Sequence, residues 1–332
     1  NGHSKKTVVS EYGDTELLIP RDREGEHEPL IVRKHQKNLT GIEEQIIALY
    51  SKGMTVRDVQ DHLNQLYGIT VSPTLISNVT NKLMPLIKEW QSRPLEKTYA
   101  IVFLDAIHYN VRENGIVVKK AVYIALGYNL EGLKEILGMW VGENESSKYW
   151  LMVLNQMKER GLEDILIVST DNLPGFTQAI ETVYPKAEIQ KCIIHQIRSS
   201  TKYVSYKDIR ELMNDLKGIY KAPTEEMALI QLDVFEEKWG KKYPTCVSSW
   251  RNNWAELCTF FKYPKEIRTI IYTTNAMENF NRQLRKVTKN KAIFPNDYAL
   301  VKSLYLAMLD ASMKWTSRIR NWDKIRSQLS IY

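Results

Sequence analysis

The chain has 332 residues, of which 43% are hydrophobic and 26% charged, with 15 glycines and 11 prolines. This length predicts about two or three structural units, and the composition excludes a disordered or fibrous protein. The longest apolar runs are too short to span a bilayer, no basic-then-apolar leader opens the chain, and its three cysteines do not suffice for a disulfide framework. We therefore expect a cytoplasmic protein with no membrane partner, and because the first residue is Asn1 rather than Met, we expect a piece of a longer chain.

Positive charge is concentrated in one part of the sequence. The formal net charge is +7, and residues 262–291 contain eight basic and two acidic residues. A basic segment on a nearly neutral scaffold is typical of proteins that bind a phosphate backbone. By composition alone, a solvated helix face accounts for the same segment equally well.

Residues 1–36 are expected to form a short β segment. Two extended runs, Val8–Val9 and Leu17–Ile19, flank Gly13 and Asp14, which predicts a β-hairpin with its turn at that pair and a charged loop after it.

Residues 37–94 have a helical period and predict three short helices. Thr55 and Ser72 are candidate N-caps, and Leu66 and Leu86 are among the residues expected to face inward. This arrangement is typical of a helix-turn-helix DNA-binding domain, although a helical packing module without DNA contact fits it too. Lys82 is the candidate DNA contact in this domain. The only other basic residue of the predicted third helix is Lys88, so we do not expect this helix to recognise a DNA sequence strongly.

Residues 96–197 change to an order of β-β-β-α-β-α-β. The first strand is an apolar run that is expected to stop at Asp105, and the fourth, Ile165–Thr170, is followed by Asp171. This order predicts the α/β class and an RNase H-like catalytic core with a mixed five-stranded sheet. The core would bring the two carboxylates together.

The rest of the chain is expected to be helical. Residues 198–265 carry no strand signals and predict an all-α insertion into the core, and residues 266–332 predict the last core helix, with Glu278, followed by C-terminal helices. The buried stripe of that core helix is expected to consist of apolar residues at helical spacing, namely Met277, Phe280, Leu284 and Val287.

Three separated carboxylates are the candidate catalytic and metal-binding residues: Asp105, Asp171 and Glu278. Phosphodiester chemistry commonly uses two divalent ions, and Mg²⁺ prefers oxygen ligands, with Mn²⁺ as a substitute. His108 lies three residues after Asp105, on the other side of the strand, where it is a candidate DNA contact or a satisfied surface residue.

Each acid also has an ordinary structural explanation. Asp105 fits a turn, Asp171 fits a helix cap, and Glu278 fits a capping box with Asn275. Singly, these explanations are at least as good as catalysis, whereas the order of the elements and the basic segment around Glu278 favour catalysis for the three together. Two further acids, Glu143 and Glu145, compete for the third position but fit capping or solvent exposure better.

Cys192 and His195 have the spacing of a half zinc site. Cys246 and Cys258 would have to complete it, and their spacing matches no ordinary zinc pattern. A packed cysteine and a hydrogen-bonded histidine near the active site are therefore favoured over zinc.

Several linked stretches resemble a known family, the bacterial insertion-sequence transposases of the Mutator-related DDE group. The stretches that carry the resemblance are Trp90–Leu95, Phe103–His108, Gly142–Glu145, Cys192–Arg198 and Ile271–Glu278. The resemblance implies that Asp105, Asp171 and Glu278 form the catalytic triad on Mg²⁺, and that Cys192 and His195 are a family signature.

The resemblance also implies a function and partners. It implies cleavage at transposon terminal inverted repeats and transfer of the freed 3′-hydroxyl into target DNA, by a homodimer at the nucleoid of a bacterial cytoplasm. The basic residues expected to grip the DNA backbone are Arg282, Arg285, Lys286, Lys289 and Lys291. Two alternatives remain open, a metal-dependent nuclease without strand transfer and a catalytically inert DNA-binding regulator.

Overall fold

The computed structural model describes residues 3–10, 13–20, 40–202, 204–271 and 275–329. These residues divide into two compact units. The first unit comprises the described residues within Asn1–Ser92, Tyr109–Lys119 and Arg282–Ala311, and the second those within Arg93–His108, Lys120–Asn281 and Ser312–Tyr332. Residues far apart in sequence therefore share a unit, whereas the sequence had predicted five consecutive segments.

The first unit begins with an antiparallel pair of strands, β1 (His3–Ser10) and β2 (Gly13–Pro20). The predicted hairpin strands are confirmed, but Gly13 and Asp14 belong to β2 and not to the turn. The charged loop expected after Pro20 lies outside the described residues.

Four helices follow: α1 (Thr40–Ser51), α2 (Val56–Tyr67), α3 (Pro73–Asn81) and α4 (Leu83–Ser92). The two predicted N-caps are confirmed, since the Thr55 and Ser72 side chains accept hydrogen bonds from backbone N–H groups of the first turns of α2 and α3. Buried residues of α1, α2 and α3, with Ile69 and Val71 between helices, form one apolar core. Whether these helices bind DNA stays a prediction.

The predicted third helix is in fact two helices, α3 and α4, with Lys82 between them. Pro85 is the reason: inside a continuous helix its ring would clash with the carbonyl of Asn81, but a proline is tolerated in the first turn of a new helix. The new helix changes the phase of the apolar face. Ile87 is therefore buried, and Leu86, which was expected inside, is 51% exposed.

The second unit contains most of a five-stranded mixed sheet with the strand order β5-β4-β3-β6-β7. Its strands are β3 (Thr98–Glu113), β4 (Ile116–Asn129), β5 (Lys134–Gly142), β6 (Asp164–Thr170) and β7 (Glu188–Lys191). β4 pairs with β5 antiparallel, whereas β6 pairs parallel with both β3 and β7. The α/β class and the mixed five-stranded sheet predicted from the sequence are confirmed.

The expected end of the first core strand at Asp105 is wrong, because β3 continues to Glu113. The apolar run stops where burial changes, from residues enclosed on both faces to an alternating pattern. Strand pairing depends on backbone groups and not on the apolar run, so the strand itself continues. It ends at a hairpin turn, where Asn114 and Gly115 have φ values of 49° and 84°, as an Asn-Gly pair allows.

Two helices pack on one face of the sheet, α5 (Ser147–Glu159) and α6 (Phe176–Val183). Their apolar residues form a core with Val102 and Leu104 of β3 and with Val168 of β6. Because side chains alternate along a strand, Asp105 points to the opposite face.

The remaining helices of the chain are α7 (Ile193–Thr201), α8 (Tyr206–Tyr220), α9 (Glu225–Trp239), α10 (Pro244–Asn252), α11 (Trp254–Leu257), α12 (Lys265–Ile271), α13 (Asn275–Thr288), α14 (Asp297–Ser312) and α15 (Trp322–Leu329). A short 3₁₀ helix, Thr259–Lys262, precedes α12. Residues 204–271, all described, contain no strand, which agrees with the helical content expected there. In the described part of the chain, no helix is both long and apolar enough to cross a membrane.

Gly132, between β4 and β5, generates a prediction about stability. It has a φ of 78°, and a Cβ at this position would overlap the Trp322 ring, whose indole N–H donates to the Leu130 carbonyl. We expect Gly132→Ala to destabilise the second unit by about 2–4 kcal/mol, through backbone strain and overpacking combined.

Gly115→Ala is the matched control, because Gly115 also has a positive φ but has open space around its Cβ position. We expect it to cost about 1 kcal/mol. Urea denaturation monitored by tryptophan fluorescence measures both variants, and equal losses would contradict the packing role given to Trp322.

Candidate active site

Two of the three predicted acids are brought together by the pairing of β3 with β6. The parallel register aligns Val102 with Val168 and Phe103 with Ser169, an offset of 66 residues. Asp105 and Asp171 are also 66 residues apart, and each lies two positions after the aligned pair Phe103 and Ser169. The two acids therefore lie side by side. Neighbouring strands are about 4.8 Å apart, which puts both carboxyl groups at one edge of the sheet.

The carboxyl group of Asp105 is held by α13. The Asn281 side-chain amide donates a hydrogen bond of 2.7 Å to Oδ2, and the Ala106 backbone N–H lies 2.9 Å from Oδ1. Burial raises the pKa of Asp105, and the charge of Glu278 adds to the rise, whereas the His195 charge and the Asn281 hydrogen bond lower it. The pKa shift shows that Glu278 and His195 are near enough to act electrostatically on Asp105.

Asp171 follows the last residue of β6. Burial raises its pKa first, and the negative charge of Asp105 raises it further. Its Oδ1 atom is buried without a hydrogen-bond partner. The pair of acids is therefore an unfavourable arrangement that a positive charge would relieve.

His195 supplies one such charge. Cys192 caps the start of α7: its sulfur accepts from the His195 backbone N–H at 3.4 Å, and its own N–H donates to the Thr170 carbonyl at 2.7 Å. These contacts place His195 beside the end of β6. The pKa of His195 is raised to about 9, by a side-chain hydrogen bond to Cys192 and by the charges of Asp105 and Asp171, against the effect of burial.

Cys192 is packed as expected, while a role for Cys192 and His195 at an active site stays a prediction. Cys192 is buried, and Cys246 and Cys258 carry free thiols. Cys192 stabilises the start of α7 next to the acids through its capping hydrogen bond.

Glu145 joins the same cluster, and the interpretation of this residue as capping or solvated is wrong. Ser146 is the N-cap of α5, while burial and the charges of Asp171 and Asp105 raise the pKa of Glu145 to about 7. Tyr123 fixes the loop, since its hydroxyl donates to the Asn144 carbonyl at 2.5 Å and accepts from the Ser146 N–H at 2.9 Å. The other competing acid, Glu143, is exposed.

Glu278 lies in the first turn of α13 and is held by an arginine. Arg198 Nη2 is 2.5 Å from Glu278 Oε1, with side-chain exposures of 61% and 34%. An ion pair this exposed contributes little, about 0.2–1 kcal/mol. The proposed capping box with Asn275 rests on a side chain outside the described residues.

The donor set fits divalent cations such as Mg²⁺. It consists of carboxylate oxygens, which hard cations prefer, and the buried Asp171 Oδ1 and Glu145 Oε1 have no hydrogen-bond partner. In the arrangement described here, no three acidic, histidine or cysteine side chains among the described residues are close enough to hold one ion. Glu278 would have to leave Arg198 to join the other acids.

Four of the predicted DNA contacts share one surface. Arg282, Arg285, Lys286 and Lys289 are exposed and have the i, i+3, i+4, i+7 spacing of one helix face; we call them the basic face. Met277, Phe280 and Leu284 of the same helix are buried as predicted, while Val287 is only partly buried.

The other predicted DNA contacts lie elsewhere. Lys291 has its ammonium group 4.0 Å from the centre of the Tyr50 ring and donates to Ser303, so it is not part of the basic face. Lys82 forms an ion pair of 2.7 Å with Glu43. His108 is exposed on β3, on the side of the strand opposite Asp105 as expected. DNA contact by Lys82 and His108 stays a prediction.

Sequence reasoning missed Asn281 and Arg198. Both had a weak signal, because Asn281 is three residues after Glu278 and Arg198 is three residues after His195, which places each on the same helix face as its neighbour. Nothing in the sequence indicated that Arg198 would pair with Glu278, from a helix 80 residues away.

Fold and site together define an α/β protein with a carboxylate cluster at the edge of a mixed sheet. The model of a transposase family, described as the Mutator family, matches residues 1–318. The chain is 45% identical over all 332 residues to the transposase for insertion sequence element ISRM3 of Rhizobium meliloti, of which it covers 83%. It is 34% identical over 319 residues, 96% of its length, to the transposase for element IS905 of Lactococcus lactis, of which it covers 81%.

A more distant relative is the transposase for element IS256 in transposon Tn4001 of Staphylococcus aureus, 27% identical over 98% of this chain and 84% of that protein. Among solved structures, one chain of a simian T-cell lymphotropic virus intasome in complex with PP2A regulatory subunit B56 gamma matches 62% of this chain and 64% of its own length at 13% identity, with a TM-score of 0.23. The chain belongs to the Mutator family of transposases.

The shifted pKa of Glu145 generates a prediction about stability and pH. A carboxyl group with a raised pKa favours the folded state below its ordinary pKa of 4.5, and this contribution is lost as the pH rises through about 7. We expect Glu145→Gln to stabilise the metal-free protein at pH 8 by about 1–2 kcal/mol after allowance for solvent screening, and to have little effect at pH 4.5.

Urea denaturation at the two pH values, with a chelator present, measures this difference. Glu143→Gln is the control, because Glu143 is exposed in the same loop. A Glu145→Gln effect that does not change with pH would show that Glu145 is not held near the two aspartates.

Proposed function

We propose that this transposase cuts DNA at the ends of a mobile element and joins the freed 3′-hydroxyl to target DNA, using the carboxylate cluster. The observation that supports it best is the clustering of three acids from separate segments, Asp105, Glu145 and Asp171, with Glu278 near enough for its charge to act on Asp105. Structural stability does not require such a cluster, since burial first, and then the charges of neighbouring acids, raise the pKa of Asp105, Glu145 and Asp171.

The architecture fits this chemistry. We interpret the sheet order, with two parallel pairs on one side and an antiparallel pair on the other, as an RNase H-like core. In this interpretation residues 198–265 are a helical insertion before the helix that carries Glu278, and α1–α4 are a helix-turn-helix-like DNA-binding domain.

The carboxylates of Asp105, Asp171 and Glu278 would hold two Mg²⁺ ions, with Mn²⁺ as a substitute and Glu145 as a further oxygen donor. When bound, such ions activate the attacking hydroxyl and stabilise the leaving oxygen of a phosphodiester. Asn281 orients Asp105 through its hydrogen bond to Oδ2. His195 keeps a positive charge beside the aspartates.

The reaction has two in-line displacements at phosphorus. Water attacks first, breaking a phosphorus–oxygen bond and releasing a 3′-hydroxyl and a 5′-phosphate. The freed 3′-hydroxyl then attacks a phosphodiester of the target strand, and the bond that breaks there releases a 3′-hydroxyl of the target strand. The basic face follows Glu278 along α13 and would bind the phosphates of the substrate strand. Because an element has two ends, we expect a homodimer that works on nucleoid DNA.

Removal of single carboxylates tests the proposal. We expect Asp105→Asn, Asp171→Asn and Glu278→Gln each to lower cleavage and joining by about a thousandfold or more, because each would remove a proposed metal ligand. DNA binding in a mobility-shift assay should persist. The assay incubates a labelled pre-cut element end with a plasmid and Mg²⁺, and Glu143→Gln serves as the control.

Each alternative function has its own result in this assay. A nuclease would cut DNA without forming joined product, and an inert regulator would give neither product and would not respond to Asp105→Asn. Asp105→Cys adds a test of metal ligation, since a thiolate ligand favours the softer Mn²⁺ over Mg²⁺. If Asp105→Cys has the same residual activity with Mn²⁺ as with Mg²⁺, Asp105 is not a metal ligand.

The ion pair between Arg198 and Glu278 generates a further prediction. If Glu278 must leave Arg198 to join the other acids, then Arg198→Gln removes a competitor and should tighten Mn²⁺ binding about two- to fivefold. Titration without DNA, followed by electron paramagnetic resonance, measures this affinity. Arg210→Gln, on an exposed position of α8, is the control, and weaker binding in Arg198→Gln would contradict the competition.

A further inference from the structure

The first unit contains a cavity of about 1000 Å³ that the proposed chemistry does not use. It is lined by the first turn of α2, by one side of α3 from Pro73 to Asn81, by residues 290–296, and by the start of α14. This volume is at the upper end of the range for small-molecule sites, which is about 300–1000 Å³.

One wall of the cavity is cationic. Lys302 is 6% exposed and donates to Thr80 Oγ1 at 3.0 Å and to Asn81 Oδ1 at 2.9 Å, both of which are neutral acceptors. Lys291 donates to the Ser303 hydroxyl at 3.1 Å. Arg57 also lines the cavity, and of the described residues that line it, none carries a carboxylate.

Lys302 is therefore buried, and Lys291 partly buried, without a direct counter-charge. Burial lowers the pKa of both groups, that of Lys291 to about 8, and the charge of Lys302 contributes to this value. The opposing charge that reaches Lys291 is that of Asp58, which accepts from the Thr55 backbone N–H at 2.8 Å and does not line the cavity. A bound anion would offset this unfavourable arrangement.

The cavity also has apolar and aromatic lining residues. They include Met84 and Phe294, and also Ile293 and Tyr298, which are 43% and 64% exposed. A simple inorganic anion would leave these residues unused. A planar base attached to a phosphate would use both kinds of lining residue, because bases stack on aromatic and apolar side chains while the phosphate pairs with lysine.

We propose that this cavity binds a single nucleotide, with its phosphate at Lys302 and Lys291 and its base against Tyr298 and Ile293. The nucleotide comes either from a DNA strand, as an extruded base with its phosphate, or from the free mononucleotide pool. The first source rests on the proposed function in DNA cleavage and joining. Binding itself requires no catalysis, so the two proposals fail separately.

Isothermal titration of the intact chain with deoxyadenosine monophosphate and with inorganic phosphate tests the site, in a chelator so that the carboxylate cluster does not contribute. We expect the nucleotide to bind at least about tenfold more tightly than phosphate, because stacking adds to the charge interaction. Lys302→Met should weaken both ligands at least about tenfold, whereas Tyr298→Ala should weaken only the nucleotide. Lys88→Met, an exposed lysine of α4, should change neither.

Thermal denaturation without ligand separates this role from a structural one. Loss of a buried lysine that has no counter-charge should leave the melting temperature of Lys302→Met unchanged or higher. If that variant is destabilised, the exposed Tyr298 still tests the proposal through Tyr298→Ala. Equal affinity for nucleotide and phosphate, or nucleotide binding unchanged in both variants, would overturn it.

Competition identifies the source. A single-stranded oligonucleotide that displaces the mononucleotide from wild type in a Lys302-dependent manner points to a DNA strand, and failure to displace it points to the free pool. Either result is compatible with a nucleotide site. In the joining assay, Asp105→Asn should lose activity and keep mononucleotide binding, so loss of one property does not imply loss of the other.

Discussion

The parallel pairing of β3 with β6 is the constraint on which the candidate site depends. It aligns two strands with an offset of 66 residues, and the same offset separates Asp105 from Asp171. The apolar residues before each acid are buried on both faces of the sheet, so a slip of either strand by one residue would exchange the side chains that pack on the two faces. The two carboxyl groups are therefore held together by the free energy of burying their strands, despite their mutual repulsion.

The surrounding residues reduce this repulsion without removing it. Asn281 donates to Asp105, and His195 brings a positive charge that Cys192 supports, yet the pKa values of Asp105 and Asp171 stay raised. The first unit shows the opposite charge in a comparable arrangement, with Lys291 and Lys302 at a cavity that no described carboxylate lines. Such uncompensated charge costs stability in the free protein and is offset when a ligand of opposite charge binds.

Features that depend on neighbouring residues were mostly predicted correctly from the sequence, whereas features that depend on residues far apart in the chain were not. The apolar run of β3, the Asn114–Gly115 turn and the caps Thr55 and Ser72 were predictable, because each depends on residues a few positions away. The split of the third helix was missed although its cause, Pro85, is local. The misassignment of Glu145 had a different origin: its surroundings come from β3, β6 and α7, and no local pattern reports them.

The amino-acid sequence by itself determined the order of the strands and helices, the two aspartates that follow apolar strand residues and the basic face of α13, because periodicity and turn residues act over short distances. Only the tertiary structure decided which side chains meet: Glu145 with the aspartates, Arg198 with Glu278, and Lys291 with Tyr50 in place of the basic face. These contacts join residues that are tens to hundreds of positions apart. They depend on how the buried surfaces of separate elements pack, which no short stretch of sequence specifies.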